Sequence, residues 1–174
     1  MLKIDPARVV PLFGKITYDS IGKALEKVMS LWHSKPEEEV FLIINSGGGS
    51  LDAGFMFVDL VQASGMRLVT IGTGHVGSMA VPVFCTGQRR LITYHTDFFF
   101  HEVGHTSEKD QRMSLTEIKT RGENLAISQM WSADFIAKQT SGRLSKQEVL
   151  HLMEAETWMF PDDIIKHGLA HEIV

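Results

Sequence analysis

Short apolar runs in this chain end, one after another, at glycines or a cap residue that open a helical pattern. Val40 to Ile44 is a continuous apolar run, as expected of a strand buried on both faces. It leads into Asn45-Ser46-Gly47-Gly48-Gly49-Ser50, and a helix is predicted from about Leu51 to Ser64, closed by Gly65. Arg67 to Ile71 is the next strand, followed by a second glycine-rich turn, Gly74-His75-Val76-Gly77-Ser78-Met79, and a short helix ending near Gly87. Strands alternating with helices in this way require a mainly parallel sheet with helical crossovers.

The flanks extend the same pattern. Arg8 to Phe13 reads as a strand, with Pro11 placing it at an edge. Asp19 is the expected cap of a helix whose Ile21, Ala24, Leu25, Val28, Met29 and Trp32 share one face and which stops before Pro36. Arg90 to Thr93 and Phe98 to Phe100 read as two further strands. Residues 102–116 turn polar, predicting an exposed excursion before a long helix from about Leu115 to Gln139. Ser145 to Glu148 is a capping box, and Pro161-Asp162-Asp163 suits the first turn of a last short helix with Gly168 just past its end.

Composition excludes several classes. The chain has 174 residues, 44% hydrophobic and 22% charged, which suits one globular domain with a real core. A net charge of −4 with no basic run argues against a nucleic-acid or anionic-membrane surface. The single cysteine, Cys85, has no internal disulfide partner and lies in an apolar setting. No signal-peptide core and no stretch near the ~20 apolar residues of a membrane span is present, so a cytoplasmic protein is expected.

The glycine turns suggest chemistry. A serine at a helix start, Ser78, sits where unpaired N–H groups, Met79's among them, could hold an oxyanion. Gly47 to Gly49 could bring a second N–H to the same place, and His101 emerges at the end of an apolar strand, where α/β sheets gather their sites. The plainer readings are a helix cap for Ser78, a tight connection for the glycines and a solvated strand-end histidine for His101. Gly72 to Gly77 also spells G-x-G-x-x-G with Asp97 twenty residues on, but that acid precedes its strand rather than ending it, so dinucleotide binding is disfavoured. No P-loop, no G-x-S-x-G and no metal-ligand spacing is present, and no cofactor or metal is expected.

Three ordered blocks, residues 44–54, 74–80 and Phe-His-Glu-Val-Gly at 100–104, resemble the signature blocks of the Clp protease proteolytic subunit, in the manner of phage-type or divergent members. Similarity runs from about Arg8 to Val174, including the closing Glu-Thr-Trp-Met-Phe-Pro segment. The resemblance implies a crotonase-like α/β fold of repeated ββα units with a mainly parallel sheet, one domain over 1–174 and a protruding handle helix within roughly 102–140. It implies Ser78 as nucleophile, His101 as general base, Gly49 and Met79 as oxyanion-hole donors, and Glu156 where the family's third-member aspartate sits. The implied activity is serine endopeptidase hydrolysis of peptides or unfolded proteins inside a homo-oligomer, a heptameric ring or double ring. An ATP-driven unfoldase partner is also implied, an implication weakened by how little precedes Arg8. This chain departs from the family at Gly47, where proline is usual, and at Glu102-Val103, which replaces Gln-Pro. Two other readings follow from the altered acid and from the shared superfamily: a non-catalytic ring scaffold or regulatory subunit, and a crotonase-type acyl-CoA enzyme.

Overall fold

The computed structural model describes residues 4–104 and 113–174. After a 3-10 turn at Pro6–Arg8, the order is β1 (Val9–Phe13), α1 (Tyr18–Ser34), β2 (Val40–Ser46), α2 (Leu51–Ser64), β3 (Leu68–Gly77), α3 (Ala80–Cys85), β4 (Arg89–Ile92) and β5 (Asp97–Phe99). Then follow α4 (Leu115–Gln139), α5 (Lys146–Glu154), β6 (Trp158–Met159), α6 (Pro161–Lys166) and β7 (Glu172–Ile173). The strands lie in the order β1-β2-β3-β4-β7, all parallel along that path, with β5 beside β3 and β6 antiparallel to β5. This is the mixed α/β, mostly parallel architecture that the alternating pattern requires. Part of the polar excursion expected over 102–116 lies outside the described residues.

Helix ends follow local chemistry. The Ser50 hydroxyl accepts the Ala53 N–H, and Gly65 closes α2 at φ 66°. Ser114 and Ser145 each form a capping box, with Glu117 and Glu148. The cap of α1 is Thr17 rather than Asp19: its hydroxyl accepts the Ser20 N–H while the Ser20 hydroxyl accepts the Thr17 N–H. Asp19 instead pairs with Lys23 one turn on, at 2.7 Å.

The second glycine turn is a correction of a different kind. Residues 74–77 belong to β3, which runs ten residues and changes neighbours midway. Its first half pairs with β4 up to Gly72↔Ile92, and its second half pairs with β5 from His75↔Asp97 to Gly77↔Phe99. The pairing with β2 shifts register over the same stretch. The glycines thus bend a strand so that its end projects onto a second set of partners.

Alternate residues of the strands face two clusters. Val40, Leu42 and Ile44 join the main core with α1 to α6, whereas Phe41, Val69, Ile71 and Leu91 form a smaller cluster on the opposite face. Arg90 has the parity of Ile92 and points among the helices, where it is 5% exposed. Its guanidinium donates to the carbonyls of Leu169 (2.6 Å), Gln139 (2.8 Å), Gly87 (3.2 Å) and Gly168 (3.2 Å). Those carbonyls belong to the C-terminal ends of α3, α4 and α6, so one side chain ties three helix termini to the sheet.

Candidate active site

The end of β3 delivers Ser78 into the left-handed region, φ 53°, which a residue with a Cβ seldom adopts. Its N–H donates to the Phe99 carbonyl at 2.8 Å and its carbonyl accepts the Val81 N–H at 3.0 Å. The turn is therefore held from both sides while the side chain projects outward. Ser78 does not cap α3: the cap position is Met79, and no side-chain cap bond is made there.

The triple glycine lies directly against this turn. A Cβ at Gly48 (φ 90°) would be 2.7 Å from the Ser78 Cβ, 2.8 Å from the Gly77 carbonyl oxygen and 2.9 Å from the Met79 nitrogen. Only glycine allows so close an approach of backbone to backbone. The segment after β1 fixes the loop: the Ile16 N–H donates to Gly48, and the Ser50 N–H donates to Ile16, bridging Ile16 to Gly49. The Gly48 N–H is taken by the Ser46 hydroxyl at 3.1 Å. Among the described residues neither the Gly49 nor the Met79 N–H has a backbone acceptor outside the regular elements.

His101 lies two residues beyond β5 and lines the same cleft as Ser78 and Gly47 to Gly49, a space of about 640 Å³ that also touches Leu51, Val103 and Gly104. Its Nδ1 lies 2.6 Å from the Glu102 carbonyl oxygen. A carbonyl only accepts, so Nδ1 carries the proton and the neutral ring keeps its lone pair on Nε2, the form a general base needs. Among the described residues no hydrogen bond or ion pair joins His101 to a carboxylate. Glu156 stands in the turn after α5, exposed, at φ 48°. The carbonyl of its neighbour Thr157 accepts the Phe100 N–H at 2.9 Å, which sets Glu156 near the segment that leads from β5 to His101.

The cleft has an end that the sequence did not announce. Gly14 and Lys15, in the turn after β1, line it, and nothing in their sequence pattern marks them. Cys85 is excluded as a nucleophile, because complete burial pushes its thiol up to about 12. Among the described residues no His, Cys, Asp and Glu group could hold a metal ion. Asp97 holds His75 rather than a ribose, at 2.5 Å.

A serine in a strained turn, free N–H groups alongside and an imidazole facing the same cleft are suited to acyl transfer. The Clp protease family model matches residues 1–174, and the chain belongs to that family of serine endopeptidases. It is 26% identical to the ATP-dependent Clp protease proteolytic subunit 1 of Chlamydia abortus, over 99% of this chain and 88% of the relative. It is 25% identical to subunit 2 of Borreliella burgdorferi, over 97% and 83%, and 22% identical to subunit 2 of Bifidobacterium longum, over 96% and 79%.

The Gly48 contact gives a direct prediction. Gly48→Ala forces the loop off the Ser78–Met79 turn and should slow phosphonylation of Ser78 by about 100-fold, the cost of displacing a reacting centre by an ångström. Rates of labelling by a fluorophosphonate, with unfolding midpoints as control, measure it. An unchanged rate would mean that the loop has no part in the site.

Proposed function

We propose that this chain hydrolyses peptide bonds through Ser78, His101 and the backbone donors Gly49 and Met79, within a homo-oligomeric ring. The observation that carries the reading is the Ser78 turn: a left-handed serine, N–H tied to Phe99, side chain in the cleft that His101 lines. His101 Nε2 takes the Ser78 proton as the hydroxyl attacks the peptide carbonyl. The Gly49 and Met79 N–H groups hold the developing oxyanion, each worth about 3–4 kcal/mol of barrier. His101 then protonates the leaving amine, and water repeats the sequence on the acyl-enzyme.

Glu156 is the acid assigned to orient the imidazole. Its place beside Phe100 supports that role, which requires its carboxylate to replace the Glu102 carbonyl as acceptor of the Nδ1–H hydrogen bond. The substrate is a peptide or unfolded protein, the ring is heptameric, single or double, and the chain forms one domain over 1–174. The handle is the 102–140 region, where α4 exposes Leu115, Ile118, Met130 and Trp131, apolar surface suited to a second copy. A cytoplasmic setting and an ATP-driven unfoldase partner complete the reading, the second supported by the words ATP-dependent in the relatives' names. Among the described residues no helix is long and apolar enough to cross a membrane.

The test is chemical. A fluorophosphonate should add to the assembled protein once per chain, and peptide mapping should place the adduct on Ser78. Failure to label an assembly with an open cleft would favour the scaffold reading instead.

A further inference from the structure

Four rings form a continuous ladder on the sheet face opposite the helical core. The His101 ring lies over Phe99, centroids 5.4 Å apart and planes 30° apart. Phe99 stacks on Trp158 at 4.4 Å and 27°, and Trp158 lies against His75 at 5.3 Å and 36°. The far end is fixed by a hydrogen bond: the Asp97 carboxylate accepts from His75 Nδ1 at 2.5 Å. Strand register builds this arrangement. His75 pairs with Asp97 and Gly77 with Phe99 across β3 and β5, and Phe99 pairs with Trp158 across β5 and β6. Gly77 completes it, since a Cβ there would lie 2.7 Å from His75 Nε2 and exclude the ring from its seat.

We propose that Trp158 and the His75–Asp97 pair are positioning residues for the candidate base, holding the His101 ring in place through Phe99. The inference rests on the reading of His101 as general base. The Glu102 carbonyl, one residue along the chain, fixes which nitrogen carries the proton but restrains the ring plane only locally. The flat face of Phe99 supplies the missing restraint. Phe99 in turn depends on Trp158, which sits half-exposed on a two-residue edge strand and would swing free without a second surface. His75, clamped by Asp97, is that surface. The dipeptide patterns give no sign of the device, because its members lie on three strands and come together only in register.

Three single variants, one double variant and two readouts test it. Trp158→Ala should lower kcat on a fluorogenic peptide about 10-fold with KM within about twofold, since orientation and not binding is lost. In protein carrying ring-¹³C histidine, the His101 ring-proton resonances should move as Phe99 shifts over them. Trp158→Phe, which keeps a stacking face, should restore both. His75→Ala should act in the same direction, and combining it with Trp158→Ala should add little, because both break one ladder. Unfolding midpoints identify any variant that fails to fold. Should Trp158→Ala do so, His75→Ala, which keeps the tryptophan and is expected to lower kcat and move the His101 resonances, carries the comparison, and no change in it would overturn the proposal. Unchanged His101 resonances in Trp158→Ala, or independent additive losses in the double variant, would overturn the proposal. Should the wild type fail to label at Ser78, the peptidase reading falls by itself, since the His101 resonances are read without turnover and still decide whether the ladder seats the ring.

Discussion

Ser78→Ala, His101→Ala and the double variant are expected to leave the same residual rate of peptide hydrolysis, about 10⁶ below the wild type. The equality matters more than the size. Ser78 attacks only if a base takes its proton, and His101 has no proton to take if the hydroxyl is gone. Two residues that act as one unit cannot lose their contributions separately. What survives in the proposed mechanism is the backbone: the Gly49 and Met79 N–H groups are untouched by either change, and donors of this kind leave on the order of 10³–10⁴ over the uncatalysed reaction. Glu156→Gln should cost less than either single change, because the Glu102 carbonyl already accepts the Nδ1–H hydrogen bond. Initial rates on one fluorogenic peptide, with ring assembly checked by sizing, give all four numbers. A double variant slower than both singles by a further order of magnitude would mean that Ser78 and His101 act independently, and the proposed mechanism would fail.

The strengths and failures of reading this fold from sequence have separate physical causes. The bounds of α2 and α4 were legible because each end is set locally, by Ser50 and Gly65 in one and by the Ser114 capping box in the other. The cap of α1 was misplaced by two residues, since threonine and aspartate both cap well and the reciprocal Ser20 bond decides between them. Residues 74–77 carried turn chemistry, yet pairing with β5 made them strand: tertiary partners override local preference. β6 and β7 are two residues each, too short to carry any periodicity.

The candidate site divides the same way. Ser78, His101 and the glycine loop were visible because their backbone demands leave glycines and a strand end in the sequence. The partners of His101 were not. Its Nδ1 bond is to a main-chain carbonyl, which no residue type announces, and its stacking partner reaches Trp158 across a register that sequence does not print. Asp97 is the clearest instance: read alone it was a misplaced nucleotide ligand, whereas the parallel pairing makes it the anchor of His75.

Arg90→Met should lower the stability of the chain by about 3–5 kcal/mol, among the largest losses for a single substitution distant from the cleft. Methionine fills a comparable length and adds no charge, so the change isolates what the guanidinium does. Four carbonyls at the ends of α3, α4 and α6 lose their donor at once, in a region where Arg90 is 5% exposed and water has little access. Burial pushes the Arg90 pKa down, yet the helix ends supply negative potential from three directions, and this keeps the cation tolerable with no carboxylate partner among the described residues. Arg90→Lys should recover only part of the loss, because an ammonium offers three donors from one point where the guanidinium spreads five in a plane. For a chain of this length the methionine variant should melt about 10 °C lower. Hydrogen exchange should locate the damage, with protection falling first at the last turn of α4 and at residues 168–169. A midpoint within about 2 °C of the wild type, or exchange unchanged at those helix ends, would show that the three termini are held by packing alone.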